Sequence, residues 1–438
     1  MIRRPPRSTP SNSSAASDVY KRQVNVLFGV NLKGTTIYVA IRSLPETDFF
    51  MEKTAEFTRE TGIKVRYVVY PELQLREKIV MDMVSGQGAY DVIALDCVYV
   101  TEFAEKDWIY PLDEFVDKKE LSDFFEKVLG LFTHKGHLYA LPVYSEITHL
   151  MYRKDIFDKL GISVPQTFDE LWETAKKLNN PPKMYGIAMR GLRGDGMNVY
   201  TWTSFLRGFG GKFFDENWHP VFNNEAGVKA TEFYAGILRN FGPPGVSSYT
   251  WDDVQSAFTS GKVAMIMDAN NFMTRIEDPS KSAIAGKIGY ALIPAGPSGR
   301  HPGIYSMGLA ISKIGAKTEK EKLAAAEFIK WATSFDIQLD CALQRGVVSS
   351  ARKSVFNNPA FQAKFGEDTY PGWLSSTVKS YELANPQFRP LIPEWREVGN
   401  IIGIAVEQVI AGGKSAKEAL DWAAKEAERI MRESGKLK

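Results

Sequence analysis

The chain has 438 residues, a length that predicts two or three domains at about 150 residues each. Hydrophobic residues make up 44% and charged residues 24%, which is ordinary for a soluble globular protein and argues against a mostly disordered chain. Lys and Arg number 54 against 52 Asp and Glu, so the net charge is only +2. This balance argues against a dedicated nucleic-acid-binding protein, which shows a clear basic excess.

The first residues differ in composition from the rest of the chain. Residues 1–23 are rich in Ser, Pro and Arg and lack apolar periodicity, which is typical of a disordered tail. They also resemble translated sequencing-adapter text. We therefore expect residues 1–33 to be a non-native or disordered leader, and we leave them out of the fold prediction. No later stretch has the uninterrupted apolar residues that a membrane-spanning helix needs.

From residue 36 onward the chain alternates strands and helices. The apolar runs 36–41, 64–70 and 91–95 predict buried strands, and helices are predicted between them over 45–61 and 73–84. Three strands with two intervening helices form two right-handed βαβ units on a parallel sheet. Ligands bind outside the carboxyl ends of such strands, so the residues that follow each strand are candidates for a site.

The remainder of the chain contains more predicted helices than strands. A hairpin over Lys135–Gly136 is followed by Pro142 and an extended crossing, and apolar strands are predicted at 263–267 and 288–293. Two helices are predicted in the last 40 residues, and the others lie at 152–160, 169–178, 202–209, 227–239, 252–259 and 319–333.

The cysteines and histidines do not suggest a metal or redox site. Cys97 and Cys341 are too few and too far apart for a disulfide framework, so we expect two buried free thiols, with a mutual disulfide as the less favoured alternative. His134 and His137 straddle the predicted hairpin turn without a third ligand. No metal and no cofactor is expected.

Several phrases occur in an order that is informative. They are YDVIALD (90–96), HLYALPVYSE (137–146), LMYRKDIFDKLGISVPQTFDELWETAKKL (150–178), FLRGFGGKFFDE (205–216), FTSGKVAMIMD (258–268), YALIPAGPSG (290–299) and KLAAAEFIKWATS (322–334). None is a catalytic motif and each alone is unspecific. Together, from about residue 34 to the end, they resemble the family of extracellular solute-binding proteins that deliver sugars to ABC importers, of the maltose-binding-protein type.

The resemblance implies an α/β class and a two-lobe, type II periplasmic-binding-protein fold. Each lobe is a mainly parallel sheet flanked by helices, three crossover segments form the hinge, and the ligand lies between the lobes. In this chain, the resemblance implies that lobe one comprises 34–143 and 294–345 and that lobe two comprises 147–293 and 350–438. The hinge segments are expected near 143–147, 293–306 and 345–350.

Carboxylates are the first candidates for ligand contact. A sugar presents hydroxyl groups, which donate and accept hydrogen bonds, and flat C–H faces, so a sugar site needs carboxylates, amides and aromatic rings. Asp96 ends the third predicted strand, and Glu146 lies on the first crossing beside Tyr144. The resemblance implies ligand carboxylates at Asp96 and Glu146. The competing explanations are a helix cap for Asp96 and a hinge salt bridge for Glu146.

Aromatic and amide side chains are the second group of candidates. Trp202, at the start of a predicted helix, and Trp395, in PEWREVGN, match positions where the family stacks aromatic rings on sugar. The alternative for each is a core or surface Trp. Asn270 and Asn271 follow the strand at 263–267, where many relatives carry a Trp, so we expect amide hydrogen bonds there in place of stacking.

Four further residues complete the predicted site. Tyr305 lies where the chain crosses back to lobe one, and Arg190 follows the strand YGIAM and faces the loop GLRGDG. Arg42 and Glu46 follow the first strand. The loop GLRGDG lacks the Lys-Ser/Thr pair of a phosphate-binding loop, so no nucleotide site is expected.

These observations predict a substrate-binding protein of a carbohydrate ABC importer rather than an enzyme. The expected partners are a sugar, oligosaccharide or polyol and the permease subunits, with no nucleic acid, and the protein is expected to be a monomer. The resemblance implies a periplasmic or extracellular location, with lipid anchoring at the cell surface left open. Two alternatives stay open: a carbohydrate-active enzyme on an α/β scaffold, for which no motif is found, and a ligand sensor that feeds a receptor.

Overall fold

The computed structural model describes residues 30–437, without the side chains of residues 72 and 73. Of the expected leader, residues 1–33, residues 1–29 lie outside the described residues. Within the described range one mixed sheet runs through the molecule and helices flank it. No helix of this range is both long and apolar enough to cross a membrane.

The order of the strands confirms the predicted βαβ units. The strands are β1 (Thr36–Arg42), β2 (Lys64–Tyr70), β3 (Val92–Asp96), β4 (Thr133–His134), β5 (His137–Leu138), β6 (Leu141–Arg153), β7 (Tyr185–Ala188), β8 (Val263–Ala269), β9 (Ile288–Ala291) and β10 (Ile304–Ile311). The sheet order is β2-β1-β3-β10-β6-β8-β7, with β9 also paired with β6, and β4–β5 is the predicted hairpin. β1 pairs in parallel with β2 and β3, and β7 pairs in parallel with β8.

Strand β6 connects two parts of the sheet. Up to Ile147 it pairs antiparallel with β10, which in turn pairs with β3. From Thr148 onward it pairs with β8 and β9 instead. We call the elements packed around β1–β3 lobe one and those packed around β7–β9 lobe two. The change of partner between Ile147 and Thr148 therefore marks the passage from one lobe to the other.

Each helix predicted from the sequence is present, with ends shifted by a few residues. The helices are α1 (Pro45–Thr61), α2 (Glu72–Ser85), α3 (Val100–Glu105), α4 (Lys118–Leu121), α5 (Glu126–Gly130), α6 (Lys154–Leu160), α7 (Phe168–Leu178), α8 (Asn198–Gly208), α9 (Glu225–Phe241), α10 (Trp251–Thr259), α11 (Met273–Ile276), α12 (Glu319–Ala332), α13 (Phe335–Arg345), α14 (Lys353–Phe356), α15 (Pro359–Phe365), α16 (Trp373–Leu383), α17 (Trp395–Ile410) and α18 (Ala416–Glu433).

The helix that follows β1 is positioned by its own sequence. α1 has Pro45 in its first turn, where the missing N–H costs nothing, and it ends at Gly62, whose φ of 76° lets the chain leave the helix. Only Ser43 and Leu44 separate β1 from α1. The N-terminus of α1 therefore lies at the edge of the sheet where β1 ends.

The chain after the third crossing packs on both lobes. α14 and α15 contact α13 of lobe one, and Arg352 donates hydrogen bonds to Glu120 and Asp123 at 2.8 and 3.1 Å. α16 contacts β6 and β9, and α17 contacts α8 and α9 of lobe two. Lobe two was expected to resume at residue 350, whereas the contacts associate residues 353–365 with lobe one.

Candidate functional site

A cavity of about 450 Å³ lies between the two lobes, and we call it the cleft. Lobe one contributes the ends of β1 and β3 and the start of α1, and lobe two contributes the loop before α8 and part of α10. Parallel strands end at the same edge of a sheet, which is why residues that follow β1 and β3 meet here. The predicted residues that line the cleft are Arg42, Glu46, Asp96, Tyr144, Glu146, Arg190, Asn271 and Tyr305.

Trp202 lies away from the cleft, and the expectation that it stacks on a ligand is corrected. Its helix, α8, begins at Asn198 rather than at residue 202, so the ring falls within the helix and is buried in lobe two. The Trp202 Nε1 donates a hydrogen bond to Thr231 Oγ1 at 3.0 Å, and the ring centroid lies 6.1 Å from that of Phe213. A buried indole with a satisfied N–H is typical of a core residue.

Trp395 and Asn270 also lie outside the cleft, so these two expectations are corrected. Trp395 is 1% exposed at the start of α17, and its ring packs edge-on against Phe213 with centroids 4.9 Å apart. Asn270 is fully buried, and its Oδ1 accepts a hydrogen bond from the Ile147 N–H at 3.1 Å. The Asn270 carbonyl accepts another from Trp373 Nε1 at 2.9 Å. Asn270 therefore holds the first crossing in place.

Asp96 and Tyr305 form one wall of the cleft on lobe one. β3 and β10 are antiparallel neighbours in which Asp96 lies opposite Met307, so Tyr305 is two residues away along β10. The Tyr305 hydroxyl donates a hydrogen bond to Asp96 Oδ1. Burial raises the pKa of Tyr305, and the neighbouring Asp96 charge raises it further, so the hydroxyl stays protonated.

Tyr144, Glu146 and Asn271 form a network at the first crossing. Tyr144 and Glu146 lie on the same face of β6 because residues two apart on a strand point the same way. The Tyr144 hydroxyl donates to Glu146 Oε2 at 2.6 Å and accepts from Asn271 Nδ2 at 2.5 Å. Burial raises the pKa of Glu146 despite the nearby Arg190 guanidinium. Asn271 Oδ1 is buried without a partner among the described residues, so it remains available as an acceptor.

Arg190 is fixed on the lobe-two wall. It follows β7 and faces Asp268 on the parallel neighbour β8. Arg190 donates from Nε and Nη2 to the Asp268 carboxylate at 3.0 and 2.5 Å, and from Nη1 to the Gly196 carbonyl at 2.8 Å. Burial alone would lower the pKa of Arg190, but the Asp268 carboxylate raises it overall. Each guanidinium nitrogen thus has a protein partner, which makes Arg190 a rigid part of the wall.

Arg42 and Glu46 flank the point where β1 passes into α1. Glu46 lies in the first turn of α1 and is 4% exposed. Burial raises the pKa of Glu46 to about 7, although a backbone hydrogen bond and the Arg42 charge act in the opposite direction. The Glu46 carboxyl therefore changes its charge near neutral pH.

Residues missed by the sequence analysis come from loops and from helices of lobe two. Asp195 precedes α8, and burial raises its pKa. Tyr200 lies near the start of α8, and Arg389 lies in the loop before α17. Trp251 and Phe272 place two rings along the wall, with centroids 6.5 Å apart. Arg389 could not be placed from the sequence, because it lies in a loop and loops show no periodicity. Trp251 could have been proposed as a ligand-binding residue, because an aromatic residue directly precedes the helix predicted at 252–259.

The cleft combines polar groups from both lobes with aromatic faces, which suits a small polar molecule with apolar surfaces. Among residues 30–437 no group of three or more His, Cys, Asp or Glu side chains is arranged to hold a metal ion. Cys97 and Cys341 are free and buried, as the sequence predicts.

The chain is similar in sequence to known binding proteins. The chain matches the family model of bacterial extracellular solute-binding proteins over residues 43–338. It is 29% identical to the mannitol-binding protein of Pseudomonas aeruginosa over 389 residues, which cover 85% of this chain and 87% of that protein. It is 24% identical to the erythritol/L-threitol-binding protein of Mycolicibacterium smegmatis, over 82% of this chain and 78% of that protein.

Solved structures of solute-binding proteins superpose on nearly the whole chain. A protein from Agrobacterium radiobacter, in complex with ribitol, is 31% identical with a TM-score of 0.81 and covers 92% of this chain and 100% of its own. A protein from Agrobacterium vitis, with bound D-mannitol, is 30% identical with a TM-score of 0.78 and covers 92% and 99%. These are type II periplasmic binding proteins, so the predicted fold class is confirmed.

Proposed function

Because the chain belongs to the family of bacterial extracellular solute-binding proteins, we propose that it is the substrate-binding protein of an ABC importer and captures a carbohydrate in its cleft. The observation that carries this proposal is the lining of the cleft. Hydrogen-bonding groups converge there from both lobes, with Asp96 and Tyr305 on one wall and Arg190 on the other. Hydroxyl groups of a carbohydrate match such a mixed set of donors and acceptors.

Within the carbohydrates, we favour a polyol of about four to six carbons, the size of the ligands named for the relatives. The cleft volume of about 450 Å³ lies in the range typical of small-molecule sites. Asn271 Oδ1, buried without a partner among the described residues, supports a ligand that donates hydrogen bonds. The ring faces of Trp251 and Phe272 can cover the C–H groups of the carbon chain.

Binding is proposed to act by closure of the two lobes. Lobe one comprises 34–143 and 294–345, and lobe two comprises 147–293 and 350–438, except that residues 353–365 pack on lobe one. The change of partner along β6, between Ile147 and Thr148, supports a hinge at the first crossing. A ligand that touches both lobes stabilises the closed arrangement, and it shifts the equilibrium only by its difference in affinity for the two states. The closed form is then the one presented to the permease.

The proposed partners are the ligand and the membrane permease subunits. The family relation supports a periplasmic or extracellular location, with or without a lipid anchor, and a monomer is sufficient because all groups named in the cleft come from one chain. The function requires no catalysis, and the ligand is released chemically unchanged.

The test is titration calorimetry with D-mannitol, ribitol, erythritol and maltose, followed by chromatographic recovery of the ligand. We expect a polyol to bind with one site and to be recovered intact. Ligand at 100 times its dissociation constant should also stabilise the protein by about 2.7 kcal/mol. Tyr305→Phe should weaken binding, because it removes a hydroxyl in the cleft, whereas Tyr38→Phe, at a residue that is 48% exposed, should not. A protein that binds none of the four compounds, or that returns a cleaved or oxidised product, would contradict the proposal.

A further inference from the structure

Arg389 is a buried arginine that reaches the cleft from a loop. It lies between α16 and α17 and is 5% exposed. Its loop is attached to lobe two, because Arg207 Nη2 donates a hydrogen bond to the Gln387 carbonyl at 2.8 Å and the Phe388 ring lies 6.0 Å from that of Tyr200. The loop is therefore fixed, and the Arg389 side chain lines the cleft.

The Arg389 guanidinium lies between groups of both lobes. Its central carbon lies 5.4 Å from the ring centre of Tyr200 on α8 and 6.0 Å from that of Tyr305 on β10. Nη1 donates a hydrogen bond to the Asp195 carbonyl at 3.1 Å. Nη2 is buried and has no hydrogen-bond partner among the described residues. A buried donor left without a partner is costly, and the cost is larger for a charged group.

Two other arginines of the cleft, Arg190 and Arg76, are paired with carboxylates. Arg190 is held by Asp268, and Arg76 donates to Glu102 at 2.7 Å. In the described part of the chain the hydrogen bond of Arg389 goes to a backbone carbonyl and not to a carboxylate. Arg389 thus differs from Arg190, whose three guanidinium nitrogens each have a protein partner, because its buried Nη2 has none among the described residues. Arg76 Nε is also buried without a partner there, but the Arg76 guanidinium is paired with Glu102, whereas Arg389 has no carboxylate hydrogen bond.

We propose that Arg389 is a ligand-binding residue whose Nη2 donates a hydrogen bond to a hydroxyl oxygen of the polyol. The inference rests on the proposed function. It adds that Arg389 makes binding selective for ligands that carry a hydroxyl group at one particular position. Because its loop is attached to lobe two while Tyr305 belongs to lobe one, Arg389 binds the ligand at the junction of the lobes. Its contact therefore strengthens with closure.

The first experiment compares Arg389→Met and Arg389→Lys with wild type by calorimetry, using D-mannitol and ribitol. Met keeps the apolar packing against the rings but removes the donor, so affinity should fall by about 10- to 100-fold, as expected for a hydrogen bond to a charged group. Lys keeps a charged donor and should recover part of the loss. Arg193→Met is the control, because the Arg193 side chain is 61% exposed and lies outside the cleft.

The second experiment separates a ligand contact from a purely structural role. Monodeoxy derivatives of whichever polyol binds more tightly are titrated into wild type and Arg389→Met, and melting temperatures are measured without ligand. One derivative should lose affinity for wild type but lose nothing further with Arg389→Met, because the deleted hydroxyl and the deleted guanidinium belong to one hydrogen bond.

The outcomes distinguish this inference from the function on which it rests. If wild type binds a polyol and Arg389→Met binds it equally well, or if every deoxy derivative loses the same factor in both proteins, Arg389 is not a ligand-binding residue and the proposed function stands. If wild type binds none of D-mannitol, ribitol, erythritol and maltose, the function fails and the inference fails with it.

Discussion

Arg190 and Asp268 form a bidentate ion pair that is nearly removed from solvent, with side-chain exposures of 7% and 0%. Removal of one partner from a buried pair leaves an uncompensated charge and costs about 3–5 kcal/mol. We expect Asp268→Asn to lower the free energy of unfolding by about that amount, as measured by urea denaturation without ligand.

The matched control is the exposed pair of Arg275 and Asp252, whose side chains are 36% and 54% exposed. Asp252→Asn should change the free energy of unfolding by less than about 1 kcal/mol, because solvent screens exposed pairs. Equal losses in the two Asp→Asn variants would contradict the assignment of Arg190 and Asp268 as a buried structural pair.

Substitution of Trp202 should affect folding and not binding. Trp202→Ala leaves a cavity in lobe two, and such large-to-small changes cost about 3–5 kcal/mol of stability. Affinity for D-mannitol or ribitol in the folded fraction should match that of wild type. Trp218→Ala, at a residue that is 36% exposed, is the control and should leave stability nearly unchanged. A Trp202→Ala variant that keeps its melting temperature but loses affinity would show that Trp202 contacts the ligand and is not a core residue.

Stability should depend on pH through Glu46. Burial raises the pKa of Glu46 from its ordinary value of 4.5 to about 7, so the folded protein holds this proton more tightly than the unfolded chain does. The stability that Glu46 contributes is present below about pH 4.5 and is lost as the pH rises to about 7, at about 1.4 kcal/mol for each pH unit.

The test measures the free energy of unfolding at pH 5, 6, 7 and 8 for wild type and Glu46→Gln. Glu46→Gln should be more stable than wild type at pH 8, by up to about 3 kcal/mol, and the difference should shrink as the pH falls. Glu232→Gln replaces an exposed carboxylate, so its free energy of unfolding should change with pH in the same way as that of wild type. Parallel curves for wild type and Glu46→Gln would exclude this role for Glu46.

Ligand binding should make the molecule more compact. Closure brings the lobes together about the crossings, so the radius of gyration measured by small-angle X-ray scattering should fall when a bound polyol saturates the protein. Asp96→Ala should reduce binding because it removes a cleft carboxylate, and at the same ligand concentration it should show a smaller change. A radius that is unchanged in saturated wild type would argue against closure.

The sequence predicts the lobe-one side of the cleft better than the lobe-two side. Asp96 and Arg42 could be placed because they end buried parallel strands, whose carboxyl ends define the edge of the sheet. Trp202 could not, because α8 starts four residues earlier than predicted, which is about one helical turn, so the ring lies within the helix and not at the end that borders the cleft. Arg389 could not be placed either, because only contacts distant in sequence, such as that of Arg207 with Gln387, position its loop.

The change of partner along β6 has a further consequence for how such a protein adapts. Thr148 begins the part of β6 that pairs with lobe two, and it does not line the cleft. Its buried hydroxyl lies 3.2 Å from the Gly303 carbonyl and 3.3 Å from the Tyr200 hydroxyl, and its one proton can be donated to either oxygen. A substitution that alters only the balance between open and closed states multiplies the affinity for every ligand by one common factor. We therefore expect substitutions at crossing residues that do not line the cleft, such as Thr148, to change the affinity for all ligands by a similar factor. Substitutions of cleft residues should instead change the ranking among ligands.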